Sequence, residues 1–101
     1  EAFPETDLAD NAIYWIGECS YRQQKYVEAI AEYDRVLREY PRSDKTASAQ
    51  LKKGFSLLEL GQKKEATAQL QNVAKPFPAS DEANLAKQRL QSLGVDPGTR
   101  K

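Results

Sequence analysis

An aromatic residue followed by proline occurs three times in this chain, at Phe3-Pro4, Tyr40-Pro41 and Phe77-Pro78, and each step is 37 residues long. Around these anchors Thr6, Ser43 and Ser80 align, as do Asp7, Asp44 and Asp81, and then Ala12, Ala49 and Ala86. Upstream of the prolines the same offset pairs Gly17 with Gly54, Ala29 with Ala66, Tyr33 with Leu70 and Val36 with Val73. A fixed period of this length points to a stacked array, in which one unit cannot bury its apolar face alone and neighbours bury it together.

Inside each unit the apolar spacing is helical. Tyr26, Ala29, Ile30, Tyr33, Val36, Leu37 and Tyr40 lie on a single helical stripe, and the next copy reads Ala66, Leu70, Val73, Ala74 and Phe77. Another helical stretch precedes each stripe, over residues 7–22 and 44–60, carrying Ala12, Ile13, Ile16 and Gly17 in the first and Ala49, Leu51, Gly54, Phe55 and Leu58 in the second. Ser43 and Ser80 are expected as N-caps, with Asp44, Asp81 and Glu82 in the first turn where the helix dipole favours negative charge. Pro41 and Pro78 are expected to stop the preceding helices, and Gly61 suits the left-handed residue that ends one, a slot that Gln24 fills less comfortably. No segment shows strand alternation, so the predicted fold is all-α. The units expected are the end of a preceding repeat at 1–6, helix pairs at 7–42 and 43–79, a closing helix at 80–94 and a flexible tail at 95–101.

Composition removes whole classes of function. The 101 residues contain 15 Lys plus Arg, 15 Asp plus Glu, no His and one Cys. Without imidazole there is no Ser-His or Cys-His nucleophile and no His-held metal, and the sequence has no glycine-rich phosphate loop. Cys19 alone closes no internal disulfide and is expected to be a packed small residue. Glu28 and Glu32, four residues apart, could mimic an acid pair but read as solvated carboxylates. No catalytic residue, cofactor or metal ligand is expected. A net charge of zero argues against nucleic acid; the Arg35, Arg38, Arg42 and Lys45 cluster reads as a charged rim for an acidic protein partner. The longest apolar runs, such as 13–16, reach four residues against the roughly 20 that span a bilayer, so no membrane insertion is expected. The chain opens at Glu1 without a basic, apolar targeting segment and reads as a mature fragment or an excised domain.

Helix pairs with this pattern resemble tetratricopeptide repeats. Ile16-Gly17, Tyr21, Tyr26, Ala29, Tyr33, Val36 and Pro41 meet that family's pattern in order. The second unit keeps Gly54, Gly61, Ala66, Val73 and Pro78 but has Lys53 and Lys63 at usually apolar places and Leu70 for an aromatic. The resemblance implies helical hairpins stacked in a right-handed superhelix, with Gly17, Ala29, Gly54 and Ala66 allowing close approach within a pair and Tyr33 and Val36 filling the seam to the next.

A narrower likeness is carried by residues 10–18 (Asp-Asn-Ala-Ile-Tyr-Trp-Ile-Gly-Glu), the Tyr-Pro-Arg-Ser linker at 40–43 and the Ala-Lys-Gln-Arg-Leu at 86–90. These are similar to the C-terminal repeat domain of the Tol-Pal system protein family, called CpoB or YbgF. That likeness implies a periplasmic scaffold that binds TolA, with a peptidoglycan synthase as a further partner, and that helps coordinate envelope constriction with wall synthesis at division. The same motifs are shared in part with the outer-membrane assembly lipoprotein BamD, so an outer-membrane assembly scaffold or a generic repeat adaptor stands as the alternative.

In such arrays the first helix of each pair lines the concave side. The groove positions carried over are Asn11, Tyr14, Glu18, Tyr21 and Arg22 in the first unit and Ser48, Leu51, Lys52, Phe55, Leu58 and Glu59 in the second. Tyr14, Tyr21, Phe55 and Leu58 are the expected anchors for an apolar helix face or an extended peptide, although Leu51 and Leu58 read equally well as packing between units. Glu18 would repel an acidic chain terminus. Residues 1–34 hold eight acids and two bases, whereas 35–64 hold three acids and eight bases. That polarity raises head-to-tail self-association as a further expectation, beside the plainer reading of solvated charges.

Overall fold

The computed structural model describes residues 5–94, in five helices: α1 (Glu5–Arg22), α2 (Tyr26–Glu39), α3 (Thr46–Glu59), α4 (Lys63–Ala74) and α5 (Asp81–Ser92). Among the described residues all regular structure is helical, as the apolar periodicity predicts. Each helix packs on the next, and α3 also meets α5, so two hairpins stack in sequence and a fifth helix closes the second. Of the stretch 1–6 expected to end a preceding repeat, residues 1–4 lie outside the described residues, as does the expected tail at 95–101, while Glu5 and Thr6 belong to α1.

Both hairpin turns use the same backbone device. At the end of α1, Gln24 N–H donates to Tyr21 O at 2.9 Å and Lys25 N–H to Ser20 O at 2.8 Å. At the end of α3, Gly61 N–H donates to Leu58 O at 3.0 Å and Gln62 N–H to Leu57 O at 2.9 Å. This double bond pattern satisfies the last carbonyls of a helix and needs a left-handed residue. Gln24 supplies it at φ 64° and Gly61 at φ 82°.

The longer linkers differ more than their sequences suggest. Ser80 caps α5, its Oγ accepting from Ala83 N–H at 3.0 Å, with Asp81 and Glu82 in the first turn. Ser43 makes the related bond to Lys45 N–H at 2.9 Å, but it caps a single preceding turn; α3 itself starts at Thr46, with no side-chain cap at Lys45. Asp44 therefore lies outside α3. The stripe of α4 is also shorter than expected, because Pro76 ends it ahead of Pro78. Phe77 leaves the helical face and is 72% exposed, whereas its counterpart Tyr40 packs against the core.

Burial follows the repeat. Ala29 and Ala66 are fully buried, and a Cβ placed on Gly17 would stand 2.8 Å from a Tyr33 ring carbon, as one on Gly54 would stand 2.6 Å from a Leu70 methyl. Glycine at these two places is what lets the helices of a pair touch. Tyr33 and Val36 join Ala49 of the following unit in one cluster with Ile13, Tyr14 and Ala29, filling the seam between the hairpins. Leu51, Leu70, Val73, Ala86 and Leu90 form a second cluster that α5 completes. Fully burying side chains such as Tyr33, Leu70 or Leu90 stabilises the fold by about 1.5–3 kcal/mol each.

Three expectations are corrected by α1 and α2. Ala12 and Ile16, two of the apolar residues that mark the first helical stretch, are exposed, Ile16 at 50%. Cys19 is exposed rather than packed. All three lie on the side of α1 that faces away from α2. Glu32, in contrast, is half-buried beside Gly17 rather than solvated, its Oε1 3.9 Å from Arg35 Nη1, beyond hydrogen-bond reach.

Candidate functional site

Side chains from α1, α3 and α5, with Tyr33 of α2, meet along one side of the stack at two junctions. At the first junction Glu18 gathers three donors: Tyr33 OH at 2.5 Å, Lys52 Nζ at 3.0 Å and Tyr14 OH at 3.3 Å. Lys52 stands at the same time 4.3 Å from the centre of the Tyr21 ring. At the second junction Arg89 lies 4.4 Å from the centre of the Phe55 ring. Lys52 and Arg89 are 37 residues apart, and so are Glu18 and Phe55. One geometric contact thus appears twice, as an ion pair between the first two units and as a cation over an aromatic face between the next two.

The surroundings of Glu18 set its charge. Burial alone would push the carboxyl up, but the hydrogen bonds from Tyr33 and Lys52, the Lys52 charge and the Tyr14 hydroxyl together hold it below its ordinary value. The phenols respond in the opposite sense. Tyr14 is pushed up to about 12 by burial first and by the Glu18 charge second, with a hydrogen bond to Ser48 working the other way. Tyr33 is raised further by burial and by its bond to Glu18, and Tyr21 is raised by burial and by the Glu59 charge.

The expected groove residues separate by burial. Tyr14 at 7% and Leu51 at 4% exposure are walls of the core, so neither ring nor methyls stand free as anchors. Tyr21, Phe55 and Leu58 are half-buried and keep apolar surface open. Asn11 is half-buried, with its Oδ1 enclosed and without a hydrogen-bond partner. Ser48 Oγ reaches Glu82 at 3.3 Å, tying α3 to α5. Arg22 and Glu59 are exposed at the C-terminal ends of α1 and α3.

The expected groove left out Arg89 and Glu82, and Lys45 was read only as part of the basic rim. Lys45 Nζ lies 5.4 Å from the centre of the Tyr14 ring and 5.7 Å from that of Trp15. A signal for Arg89 was present: the 37-residue offset that carries Lys52 into the closing helix lands on it. Two members of the basic cluster share one carboxylate, with Arg35 Nε 3.4 Å and Arg38 Nη2 3.6 Å from Glu39 Oε2. Lys53, at a place usually apolar, is 2.7 Å from Asp34 of α2.

What this side offers chemically is recognition: open aromatic and aliphatic surface, cations laid over rings, and an enclosed amide oxygen. Among the described residues no group of three or more metal-ligating side chains assembles, and no helix is long and apolar enough to cross a membrane. No curated protein matches the chain in sequence. The tetratricopeptide repeat family matches it twice, over residues 11–43 and 48–80, offset by the same 37 residues as the aromatic-proline anchors. Those two stretches cover about two thirds of the chain and lie on its stacked hairpins, and the chain therefore belongs to the tetratricopeptide repeat family.

Proposed function

We propose that this chain is a non-enzymatic scaffold that binds other proteins through the side formed by α1, α3 and α5, and that it serves the periplasmic Tol-Pal system. In this reading it binds TolA, with a peptidoglycan synthase as a further partner, and helps coordinate outer-membrane constriction with wall synthesis during cell division. The observation that carries the binding role is the line of half-buried apolar side chains, Tyr21, Phe55 and Leu58. Such surface takes the apolar face of a helix or an extended peptide. Within the groove Glu18 is neutralised by Lys52, which lowers its repulsion of an acidic segment.

Support for the Tol-Pal assignment is sequence likeness at residues 10–18, 40–43 and 86–90. Family membership favours an interaction module, and the chain has no His to serve as a general base at neutral pH. No cofactor or metal enters this function.

A titration of the isotope-labelled chain with the periplasmic part of TolA, followed by amide NMR, tests it. The expected result is a saturable set of shifts at Asn11, Tyr21, Phe55 and Leu58. Shifts confined elsewhere would move the site, and no shifts at millimolar TolA would overturn the assignment.

A further inference from the structure

The 37-residue register places two cavities at equivalent points of the stack. The first, of about 510 Å³, lies between Asp10 of α1 and the segment 39–44. The second, of about 390 Å³, lies between the start of α3 and the segment 73–82, and the linker 41–44 is a wall of both. Asp10 and Tyr40 in the first stand where Ala47 and Phe77 stand in the second, so a carboxylate occupies the place of a methyl group. Asp10 is 3% exposed, and its Oδ1 accepts the N–H of the next residue, Asn11, at 2.8 Å. Among the described residues no cation comes within ion-pair distance of it: Arg35 and Arg38 meet Glu39, Lys52 meets Glu18, Lys53 meets Asp34, and Lys45 lies over the Tyr14 and Trp15 rings. Arg42 is the one cation among the described residues that line the cavity, and it is exposed at the rim without an ion pair to any of them.

An enclosed charge without a counter-charge destabilises a fold, and binding an opposite charge offsets that cost. We propose that this cavity is a binding site, separate from the groove, for a basic side chain of a protein partner, with the Asp10 carboxylate as the enclosed acceptor and Asp44 at the exposed rim. None of the groove residues Tyr21, Phe55 and Leu58 lines it. The sign of the ligand follows from the lining charges. Glu39 is already shared by Arg35 and Arg38, so Asp10 and Asp44 face Arg42 alone and negative charge is in excess. A bare metal ion does not suit the cavity, since no group of three or more metal-ligating side chains assembles among the described residues. An ammonium or guanidinium group brings its own N–H donors to the carboxylate, while its alkyl stem lies along Tyr40 and Pro41 of the wall. Lysine and arginine share this chemistry.

Two measurements on the whole chain test this. Asp10→Ala installs the residue that the register places at Ala47, and it is expected not to lower the urea midpoint, because it removes an enclosed charge and no ion pair. A lowered midpoint would show that the carboxylate serves the fold, with Arg42 as its counter-charge in solution, and would overturn the proposal. The binding probes are the N-acetyl, N-methylamide derivatives of lysine and of arginine, added to the isotope-labelled chain at tens of millimolar and constant ionic strength. At least one of them is expected to give saturable amide shifts at Asp10, Asn11, Arg42, Ser43 and Asp44, and the tighter of the two identifies the preferred side chain. Asp10→Asn should weaken that binding by about tenfold or more with helical circular dichroism unchanged, and Arg42→Ala should strengthen it by about twofold. The uncharged norleucine derivative should not bind. Absence of saturable shifts with both cations, equal binding by norleucine, or binding that survives Asp10→Asn would each overturn the assignment.

Discussion

Gln24 and Gly61 close equivalent turns with the same backbone bonds, yet only one of them is a glycine. A side chain in the left-handed region costs about 1–3 kcal/mol, and glycine gives back about 0.5–1 kcal/mol of that in unfolded-chain entropy. Gln24→Gly is therefore expected to stabilise the chain by about 0.5–1.5 kcal/mol, read as a raised urea midpoint with an unchanged slope. The tyrosines around Glu18 make a prediction at the other end of the pH scale. Tyr14, pushed up to about 12, and Tyr33, raised further, are bound to the fold in their neutral forms. Their contribution is complete below the ordinary phenol pKa of about 10 and is lost as pH rises through the folded-state values. Tyrosinate absorbance near 295 nm from these two side chains should thus appear together with loss of helical circular dichroism; ionisation well before unfolding would contradict the burial and the Glu18 contacts. Glu18, held below its ordinary value, adds stability that is complete above about pH 4.5 and falls away under more acidic conditions.

The paired junctions show how a repeat keeps its geometry while changing its chemistry. Lys52 and Arg89 occupy equivalent places, but Lys52 answers a half-buried carboxylate and Arg89 only an aromatic face. Removing Lys52 leaves Glu18 without its counter-charge, held by two phenols. Lys52→Met should therefore cost about 1–3 kcal/mol, and Arg89→Met less than about 1 kcal/mol, in denaturant unfolding. Equal losses would refute the distinction. Periodicity made the five helices, their order and most buried positions readable, because Ala29, Tyr33, Val36, Ala66, Leu70 and Val73 repeat on one stripe with the glycines that face them. It could not show which side of α1 is covered, because α1 and α3 carry the same pattern while, among the described residues, only α3 has a hairpin packed before it. Cys19 and Ser56 are equivalent in sequence and opposite in exposure for that reason. Tyr14 was read as surface because its helical position borders both core and groove, and only the packing of Tyr33 and Lys45 against its ring shows that it is enclosed. Pro76, two residues ahead of the repeated proline, released Phe77 from a stripe that periodicity alone would have extended.

The chain has no single centre. One cluster lies between α1, α2 and the start of α3, and the other between α3, α4 and α5, so α3 is the element they share. In arrays of this kind stability is nearly a sum of unit and neighbour terms, and one unit can open while the other holds. Leu90 is the residue that tests this, since it is fully buried and belongs to the second cluster from its outermost helix. Leu90→Ala should cost about 2–5 kcal/mol, a large share of the roughly 5–15 kcal/mol available to a domain of this size. Because the first cluster makes no use of Leu90, the loss should not spread evenly. Native-state hydrogen exchange of the variant is expected to show amides of α4 and α5 exchanging faster by a factor of about ten or more, with α2 changed much less. Uniform acceleration across all five helices would mean that the two clusters unfold as one unit and that α3 couples them more tightly than their separate packing implies. A graded response would place the groove between a firm first hairpin and a looser second one, so that a ligand spanning Tyr21 and Phe55 would tighten α4 and α5 as it binds.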